Sequence, residues 1–496
     1  MNIRLLLTIA FVAFLAGCAS VNADYHRPAA ALIDAPSAQG TLSNPADPSF
    51  ASEPPPARWW QLYHDPVLDS LIEQALKANT DLRVARANIA RAQAGLEISE
   101  DARRPQTSLE AATGVERLSA EEELHPGKPF PNERVYTMTA SVSYQFDLWG
   151  QIDATIKASE TDVDAARAAY DATRITVVAE TTRAYLDACS ASREIAVSER
   201  LVDLQRQSTD LTQKLFGSGR GISLDVTRSA TQQDQVAATL PPLRAQRQLA
   251  LLRLAAIVGR PPTDVLPDAS ACTHEPTIAT PIPVGNGAQL LARRPDVRRA
   301  EQELKAATLR IGVAKGDLYP KIFFGASVGS TGLQDNFLKD DTFKFFLGPL
   351  ISWQFPNRAR VYGAIHGAEA QTDAAFARFD STVLSALRET LSALEVYSRD
   401  LERHQLLESA RDKARTAAKD SESLYTAGRQ GYLSVLDANR VLIQTEQALA
   451  SSQSRVASDQ VQLFLALGGG WELAATGESL SSSTEPQQES LSRTNP

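Results

Sequence analysis

The stretch Val135-Tyr-Thr-Met-Thr-Ala-Ser-Val-Ser-Tyr-Gln-Phe-Asp-Leu-Trp149 determines the class of fold. Its even-numbered residues from Tyr136 to Leu148 are apolar, and the odd-numbered residues between them are polar. Successive side chains of a β-strand point to opposite faces, so this alternation predicts a strand with one apolar and one polar face. Such a long alternation is typical of a strand that crosses a lipid bilayer. A half-exposed strand of a soluble β-sandwich is the alternative.

Three further segments complete a set of four predicted strands. A strand at 343–356 repeats the pattern, although Phe346 and Leu350 interrupt its polar face. Weaker alternation predicts partner strands at 106–117 and 321–330. Each pair of strands is joined by a polar loop.

Four strands cannot close a membrane barrel by themselves. Open strand edges in lipid would leave backbone N–H and C=O groups unpaired, and small barrels need about eight strands. If the strands cross a membrane, the chain must therefore oligomerise, with four strands from each copy. The alternation itself does not choose between two, three or four copies.

The sequence is also an internal tandem duplication. Adding 215 maps Thr80–Arg83 onto Pro295–Arg298, and adding 209 maps Gly219-Arg220 onto Gly428-Arg429. Two halves of about 200 residues should therefore share one structural plan, as duplicated units do. Each half is predicted to contain a helix, two strands, a very long helix, a tight turn and another helix.

Proline placement predicts the very long helices. Residues 151–240 and 357–485 contain no proline, and prolines disrupt helix interiors. Val163, Tyr170 and Val177 recur at the seven-residue spacing of a coiled-coil seam. A helix from 151 to 216 would be roughly 100 Å long, which suits a rod, a tube or a span across a gap.

Residues 1–17 have the proportions of a secretory signal peptide, with Arg4 followed by an apolar run from Leu5 to Leu15. Leu15-Ala-Gly-Cys18 resembles the bacterial lipoprotein signal, which implies cleavage before Cys18 and attachment of diacylglycerol and an N-acyl chain to it. Ala19 follows instead of the aspartate that retains lipoproteins in the inner membrane, which favours the outer membrane. No apolar run of helix-spanning length remains after cleavage.

Composition excludes several functional classes. The 59 acidic and 50 basic side chains give a net charge of −9. A chain this acidic binds phosphate groups poorly, which excludes nucleic acid as a partner. The six histidines lack metal-ligand spacing, and no P-loop or nucleophile motif is present. We therefore expect neither an enzyme, nor a metal site, nor a cofactor. A bridge between Cys189 and Cys272 is possible, but two unpaired thiols are expected.

Several motifs together resemble the TolC-like outer-membrane factors, of the OprM/NodT type of efflux lipoprotein. They follow the order of that family along nearly the whole mature chain. The matching segments are Leu15–Cys18, Asp24–Pro28, Trp59-Trp60, Asp65-Pro66, Tyr144–Gly150, Leu290–Asp296, Ala300-Glu301, Tyr425–Gly428 and Leu436–Ala438.

The resemblance implies an α+β membrane protein that forms a homotrimer. Three times four strands would make a twelve-stranded β-barrel in the bacterial outer membrane, continued by a long periplasmic α-helical barrel. The implied partners are outer-membrane lipid, a periplasmic adaptor protein and a proton-driven inner-membrane pump. The implied function is passive conduction of small toxic compounds. A type I protein-secretion duct of the same fold and a structural coiled-coil lipoprotein remain alternatives.

The resemblance also locates candidate functional residues. Leu433, Asp437 and Arg440 match the constriction residues of a gate at the tunnel tip, where Asp437 and Arg440 of three chains could form ion pairs. Adaptor docking is expected at the two turns. The residues expected there are Gly219, Arg220, Gly428 and Arg429.

The predicted organisation of the chain follows from these observations. A signal peptide at 1–17 is followed by a lipid-anchored equatorial segment at 18–66. The first repeat spans 67–258, with its turn at 217–223, and the second spans 289–467, with its turn at 427–432. An equatorial linker at 259–288 joins the repeats, and a partly disordered tail follows at 468–496.

Overall fold

The computed structural model describes residues 21, 25–42, 47–121, 126–264, 266–355 and 358–469. The signal peptide, the lipidation expected at Cys18 and the tail from residue 470 onward lie outside these residues. None of the helices in the described ranges contains an apolar stretch long enough to cross a membrane.

Nine longer helices and a four-stranded sheet make up most of the described chain. The first half contains α1 (Pro66–Ala78), α2 (Thr80–Asp101), β1 (Gln106–Glu116), β2 (Glu133–Phe146), α3 (Gln151–Gly217), α4 (Ser223–Ala237) and α5 (Leu240–Ile257). The second half contains α6 (Gly287–Arg293), α7 (Pro295–Gly316), β3 (Lys321–Leu333), β4 (Phe343–Ser352), α8 (Arg358–Thr426) and α9 (Tyr432–Ala466). Short helices at Pro36–Gln39 and Pro267–Ser270 and a parallel pair, Phe50–Ala51 with Ile282–Pro283, lie in the connecting segments.

The chain divides into two compact units. The first contains the described residues up to Gln39, Arg83–Tyr170 and Pro295–Leu387, and therefore the whole sheet. The second contains Gly40–Leu82, Asp171–Arg294 and the described residues from Arg388 onward. In the second unit Trp59 is fully buried and stacks on Phe464, with ring centroids 4.7 Å apart.

The sheet is antiparallel throughout, in the order β1-β2-β3-β4. Phe146 ends strand β2, three residues before the predicted end at 149. The cause is Asp147, whose carboxylate accepts hydrogen bonds from the backbone N–H groups of Ile152 and Asp153 at 3.0 and 2.8 Å. An acidic side chain in this position caps the first turn of α3, so the chain leaves the sheet there.

The two halves follow the same plan residue by residue. Helices α2 and α7 both have 22 residues, and they are offset by 215. The helical segment after the first turn spans Ser223 to Ile257, and α9 spans the positions 209 residues later. The first segment, expected to be one helix, is two, because Pro241 and Pro242 interrupt backbone hydrogen bonding after Ala237.

Equivalent residues of the two halves also cap equivalent helix ends. The side-chain amide of Asn79 donates to the carbonyl oxygen of Ile257 at 2.9 Å. At the positions offset by 215 and 209, Arg294 donates to the carbonyl of Ala466, also at 2.9 Å. Carbonyls at a helix C-terminus lack intrahelical partners, so both side chains satisfy groups that would otherwise be unpaired.

The expectation of two unpaired thiols is wrong, because Cys189 and Cys272 form a disulfide with Cα atoms 5.2 Å apart. The linker returns to α3 at this point and is held there by a buried ion pair. Arg193 Nε donates to Glu275 Oε2 at 2.8 Å, and the Glu275 side chain is fully buried. This proximity is created by tertiary packing over a separation of 83 residues, so cysteine spacing alone does not reveal it.

Replacement of Cys272 by alanine should lower the free energy of unfolding by about 2–4 kcal/mol, because the unfolded chain regains the freedom of a long loop. Thermal unfolding followed by circular dichroism in detergent measures this loss. The parent protein under reducing conditions should melt like the variant, and the C189A/C272A double variant serves as the control for cavity effects. Coincident melting of the oxidised parent and C272A would contradict the role of the bond.

Candidate functional site

The sheet has one apolar face and one largely polar face, which Phe346 and Leu350 interrupt. Thr107 pairs with Val142, Tyr144 with Phe324, and Ile322 with Ile351, so odd residues of β1 and β4 share a face with even residues of β2 and β3. That face, called here the apolar face, is largely exposed. Its exposed large side chains are Leu109, Val115, Val142, Tyr144, Phe146, Phe324, Val328, Phe343, Phe345, Leu347 and Ile351.

The outer edges of this sheet are open within the described chain. Strand β1 pairs only with β2, and β4 pairs only with β3, among the residues that the structure describes. Each edge therefore presents a row of backbone groups to a further strand. Pro349 lies in β4, and proline is tolerated in a strand only at an edge or bulge.

Both turns that follow the long helices have the same geometry. Gly219 has φ +73°, its N–H donates to the carbonyl of Phe216, and the N–H of Arg220 donates to that of Leu215. Gly428, with φ +68°, and Arg429 form the same two hydrogen bonds 209 residues later. This is the Schellman arrangement, in which glycine adopts the left-handed conformation at low cost.

The two turns carry exposed charged and apolar groups and lie in the second unit. Arg220 and Arg429 are exposed. Exposed apolar side chains accompany them: Phe216, Ile222, Leu224, Leu424 and Leu433. Apart from the glycine itself and its two neighbouring residues, no atom of the described chain lies within 4 Å of the place that a Cβ would occupy at Gly219 or Gly428, so the backbone there is open to a partner.

Side-chain contacts hold the two hairpins together near these turns. The hydroxyl groups of Ser208 on α3 and Tyr432 on α9 are 2.9 Å apart. The Tyr432 ring also packs on Tyr425, with centroids 5.5 Å apart. Burial, together with the negative charge of nearby Asp225, raises the pKa of Tyr425.

The three candidate gate residues share one exposed surface at the start of α9. Leu433, Asp437 and Arg440 are all exposed, whereas Val435 and Asn439 between them are buried. Neither charged residue forms an ion pair with another residue in the described part of the chain. Their charges are therefore available to groups outside this chain.

The two charged candidate gate residues are not duplicated. Leu433 corresponds to Leu224 in the first half at the offset of 209, so the apolar position is shared. Asp437 and Arg440 correspond to Arg228 and Thr231. The charge pattern is thus specific to the helix that follows the second turn.

A pair of aspartates forms a second departure from the repeat, between α8 and α9. Burial and the neighbouring carboxylate of Asp400 raise the pKa of Asp459 to about 7, against the opposing effect of Arg455 and Arg183. The corresponding residues of the first half are Ala191 and Ala250, both buried. No group of three or more potential metal ligands occurs among the described residues.

Comparison with known proteins identifies the family. The family described as outer membrane efflux protein matches residues 71–260 and 287–469. The chain belongs to the outer membrane efflux protein family. The resemblance inferred from the sequence is thereby confirmed, and membership places the chain among outer membrane proteins.

Relatives from this family match along nearly the full chain. Nodulation protein T of Rhizobium leguminosarum bv. trifolii is 25% identical over 84% of this chain and 88% of that protein. The toluene efflux pump outer membrane protein TtgC of Pseudomonas putida is 28% identical over 94% and 96%. The solved structure of the outer-membrane channel OprN is 29% identical, with a TM-score of 0.81 over 91% of this chain and 99% of that one.

Sequence patterns did not locate two of the polar features. The Asp400–Asp459 pair and the caps from Asn79 and Arg294 were missed, although the repeat offers a signal for the aspartate pair. Aligning the halves by 209 residues shows two aspartates in place of two alanines. The residues predicted for the gate and for docking all lie on exposed surface near the turns, and their roles stay predictions.

The Asp459→Asn variant should be more thermostable than the parent at about pH 8. The pKa of Asp459 is about 7 in the folded protein and 3.8 in the unfolded chain. The stability that protonated Asp459 contributes is therefore fully present below pH 3.8 and is lost as the pH rises through about 7. Asparagine resembles the protonated acid and avoids this loss.

Melting temperatures at several pH values between about 4 and 8 test this prediction. The difference between variant and parent should vanish toward about pH 4, and the exposed Asp420→Asn substitution is the control, with a much smaller change. A difference that is independent of pH would contradict the account of the pair.

Proposed function

We propose that three copies of this chain form the outer-membrane channel of a tripartite efflux system. The observation that carries the proposal is the sheet, which combines an exposed apolar face with two open edges among the described residues. Pairing β4 of one copy with β1 of the next would satisfy these edges, and three copies give twelve strands. The apolar face would contact lipid, and the polar face would line the lumen.

The long helices continue the conduit on the periplasmic side. In each half, α3 or α8 forms a hairpin with the helices that follow the turn, and three copies supply the wall of a helical barrel. The channel conducts passively, and a proton-driven inner-membrane pump supplies the energy. Small toxic compounds are the proposed cargo, supported by the similarity to a toluene efflux pump protein.

A lipid anchor attaches the mature chain to the outer membrane. The support is Leu15-Ala-Gly-Cys18, followed by Ala19. Diacylglycerol and an N-acyl chain on Cys18 would add membrane affinity to that of the barrel. A structural coiled-coil lipoprotein, by contrast, would have no use for a sheet with a large exposed apolar face.

The turns dock the periplasmic adaptor. Gly219 and Gly428 leave open space beside the backbone, and Arg220 and Arg429 offer donors to carbonyl groups of the partner. The exposed apolar side chains around the turns would be buried in the same interface. A periplasmic adaptor that contacts both turns would connect the channel to the pump.

The R220A/R429A double variant should retain the trimer but lose export. Hydrogen bonds from charged groups contribute about 1.5–3 kcal/mol each, so adaptor affinity should fall at least about tenfold. Growth of a deletion strain that carries the variant, in the presence of toluene, measures export, and co-purification measures docking. The exposed Lys419→Ala substitution on α8 is the control, and full resistance with the double variant would refute docking at the turns.

The gate consists of a ring of Leu433, Asp437 and Arg440 from three chains. Asp437 of one copy would pair with Arg440 of another and hold the helices together in the closed state. The support is that both side chains are exposed and unpaired among the described residues. Displacement of the helices by the adaptor would separate the charges and open the tunnel.

The Asp437→Ala variant should increase the conductance of the resting channel in planar bilayers. An exposed ion pair contributes about 0.2–1 kcal/mol, so loss of the three pairs of the ring should shift the open-to-closed ratio by about threefold or more. Arg228→Ala, at the equivalent position of the first half, is the matched control and should leave conductance unchanged. Equal conductance of parent and D437A would exclude this gate.

A further inference from the structure

The loop between β3 and β4, residues 334–342, folds back over the apolar face of the sheet. Tyr136 and Ser330 both lie on that face, and their hydroxyl oxygens are 2.6 Å apart. The backbone N–H of Leu338 donates to the Tyr136 hydroxyl at 2.8 Å, and Thr342 lies 3.1 Å from the same oxygen. The tyrosine side chain thereby fixes the loop against the sheet.

Close packing keeps the base of this loop in place. A Cβ atom at Gly332 would lie 2.9 Å from the Thr342 side chain, so the strand can approach the loop only because residue 332 is glycine. Tyr136 is only 4% exposed beneath the loop, and its ring packs on Phe337 with centroids 4.8 Å apart. The loop is therefore an ordered part of the sheet's outer surface.

The tip of the loop holds an apolar residue in a strained backbone conformation. Leu338 has φ +57°, in the left-handed region that a leucine rarely adopts. This strained residue nevertheless has 46% of its surface exposed, and neighbouring Phe337 is 51% exposed. The hydrogen bond from its N–H to the Tyr136 hydroxyl holds Leu338 in this conformation, so that an apolar side chain is fixed facing an environment outside this chain.

The surroundings indicate what that environment is. Phe337 packs on Tyr136 of the apolar face, which also carries exposed Phe343 and Phe345 of β4, so the loop adds apolar surface to that face. The loop covers β2 and β3 in the middle of the sheet, whereas another copy of the chain would pair at the edge strands β1 and β4. Charged residues flank the two apolar ones: Asp335, Lys339, Asp340 and Asp341.

We propose that Phe337 and Leu338 insert into the outer leaflet of the membrane and anchor the loop among its acyl chains. The flanking charged side chains lie at the level of the lipid headgroups, where Lys339 is oriented by its hydrogen bond to Asn336 Oδ1 at 2.7 Å. The partner is a lipid surface, and the anchor fixes the height of the sheet in the bilayer. This inference rests on the proposed barrel, whose apolar face contacts lipid.

A polarity-sensitive fluorophore on single introduced cysteines tests the anchor. The full-length variants L338C, F337C, F345C and F346C are labelled and reconstituted into phosphatidylcholine vesicles, with the parent protein measuring background labelling. Nitroxide-labelled phosphatidylcholine quenches fluorophores in lipid, and iodide quenches those in water. F345C reports the apolar face, and F346C, on the polar face, is its matched control.

Labels at positions 338 and 337 should show blue-shifted emission and quenching by the nitroxide lipid but not by iodide, as at 345. The label at 346 should be quenched by iodide alone. Quenching of 338 and 337 by iodide, or by neither agent, would overturn the anchor, with water or another protein segment as the occupant. Absence of lipid quenching at 345 would instead refute the proposed barrel, so the two failures are distinguishable.

Discussion

The strongest constraint on this molecule comes from the two edges of its apolar sheet, whose backbone groups have no partner strand among the described residues. In water, such edges could be solvated, but the exposed apolar side chains of β1 to β4 make water an unfavourable environment for that face. In hydrocarbon, each unpaired N–H or C=O group costs several kcal/mol. Only pairing of the edges with further strands satisfies both requirements, which is the physical basis for proposing a functional unit of more than one chain.

The two halves share one structural plan because the sequence is duplicated. Positions at which the halves differ are candidates for specific functional roles. The Schellman turns at Gly219 and Gly428 and the caps from Asn79 and Arg294 preserve one plan in both halves. Asp437 and Arg440 occur in one half only. In the proposed channel, the wall benefits from repetition, whereas the proposed gate needs charges at particular places. Asymmetry between equivalent positions is therefore informative about roles.

Local patterns in the sequence predicted those features that depend on local physics. Alternation located four strands to within a few residues, and the absence of proline located the long helices. The predicted end of β2 was late because the capping role of Asp147 depends on the start of α3. The family resemblance, carried by motifs spread along the chain, was confirmed by the comparisons.

Features that depend on distant residues could not be read from spacing. Cys189 meets Cys272 only because the linker returns along α3. The raised pKa of Asp459 requires Asp400 on another helix, and the conformation of Leu338 requires the hydroxyl of Tyr136. Each of these contacts arises from packing between elements, so a single sequence carries no local signal of it.

The native mass of the mature protein, extracted from outer membranes in mild detergent, tests the central claim most directly. If the open edges of β1 and β4 are closed by other copies, the particle should contain three lipid-bearing chains and should separate into single chains only on heating. A water-soluble monomer would mean that the exposed apolar face does not lie in a barrel, and it would contradict the proposed channel.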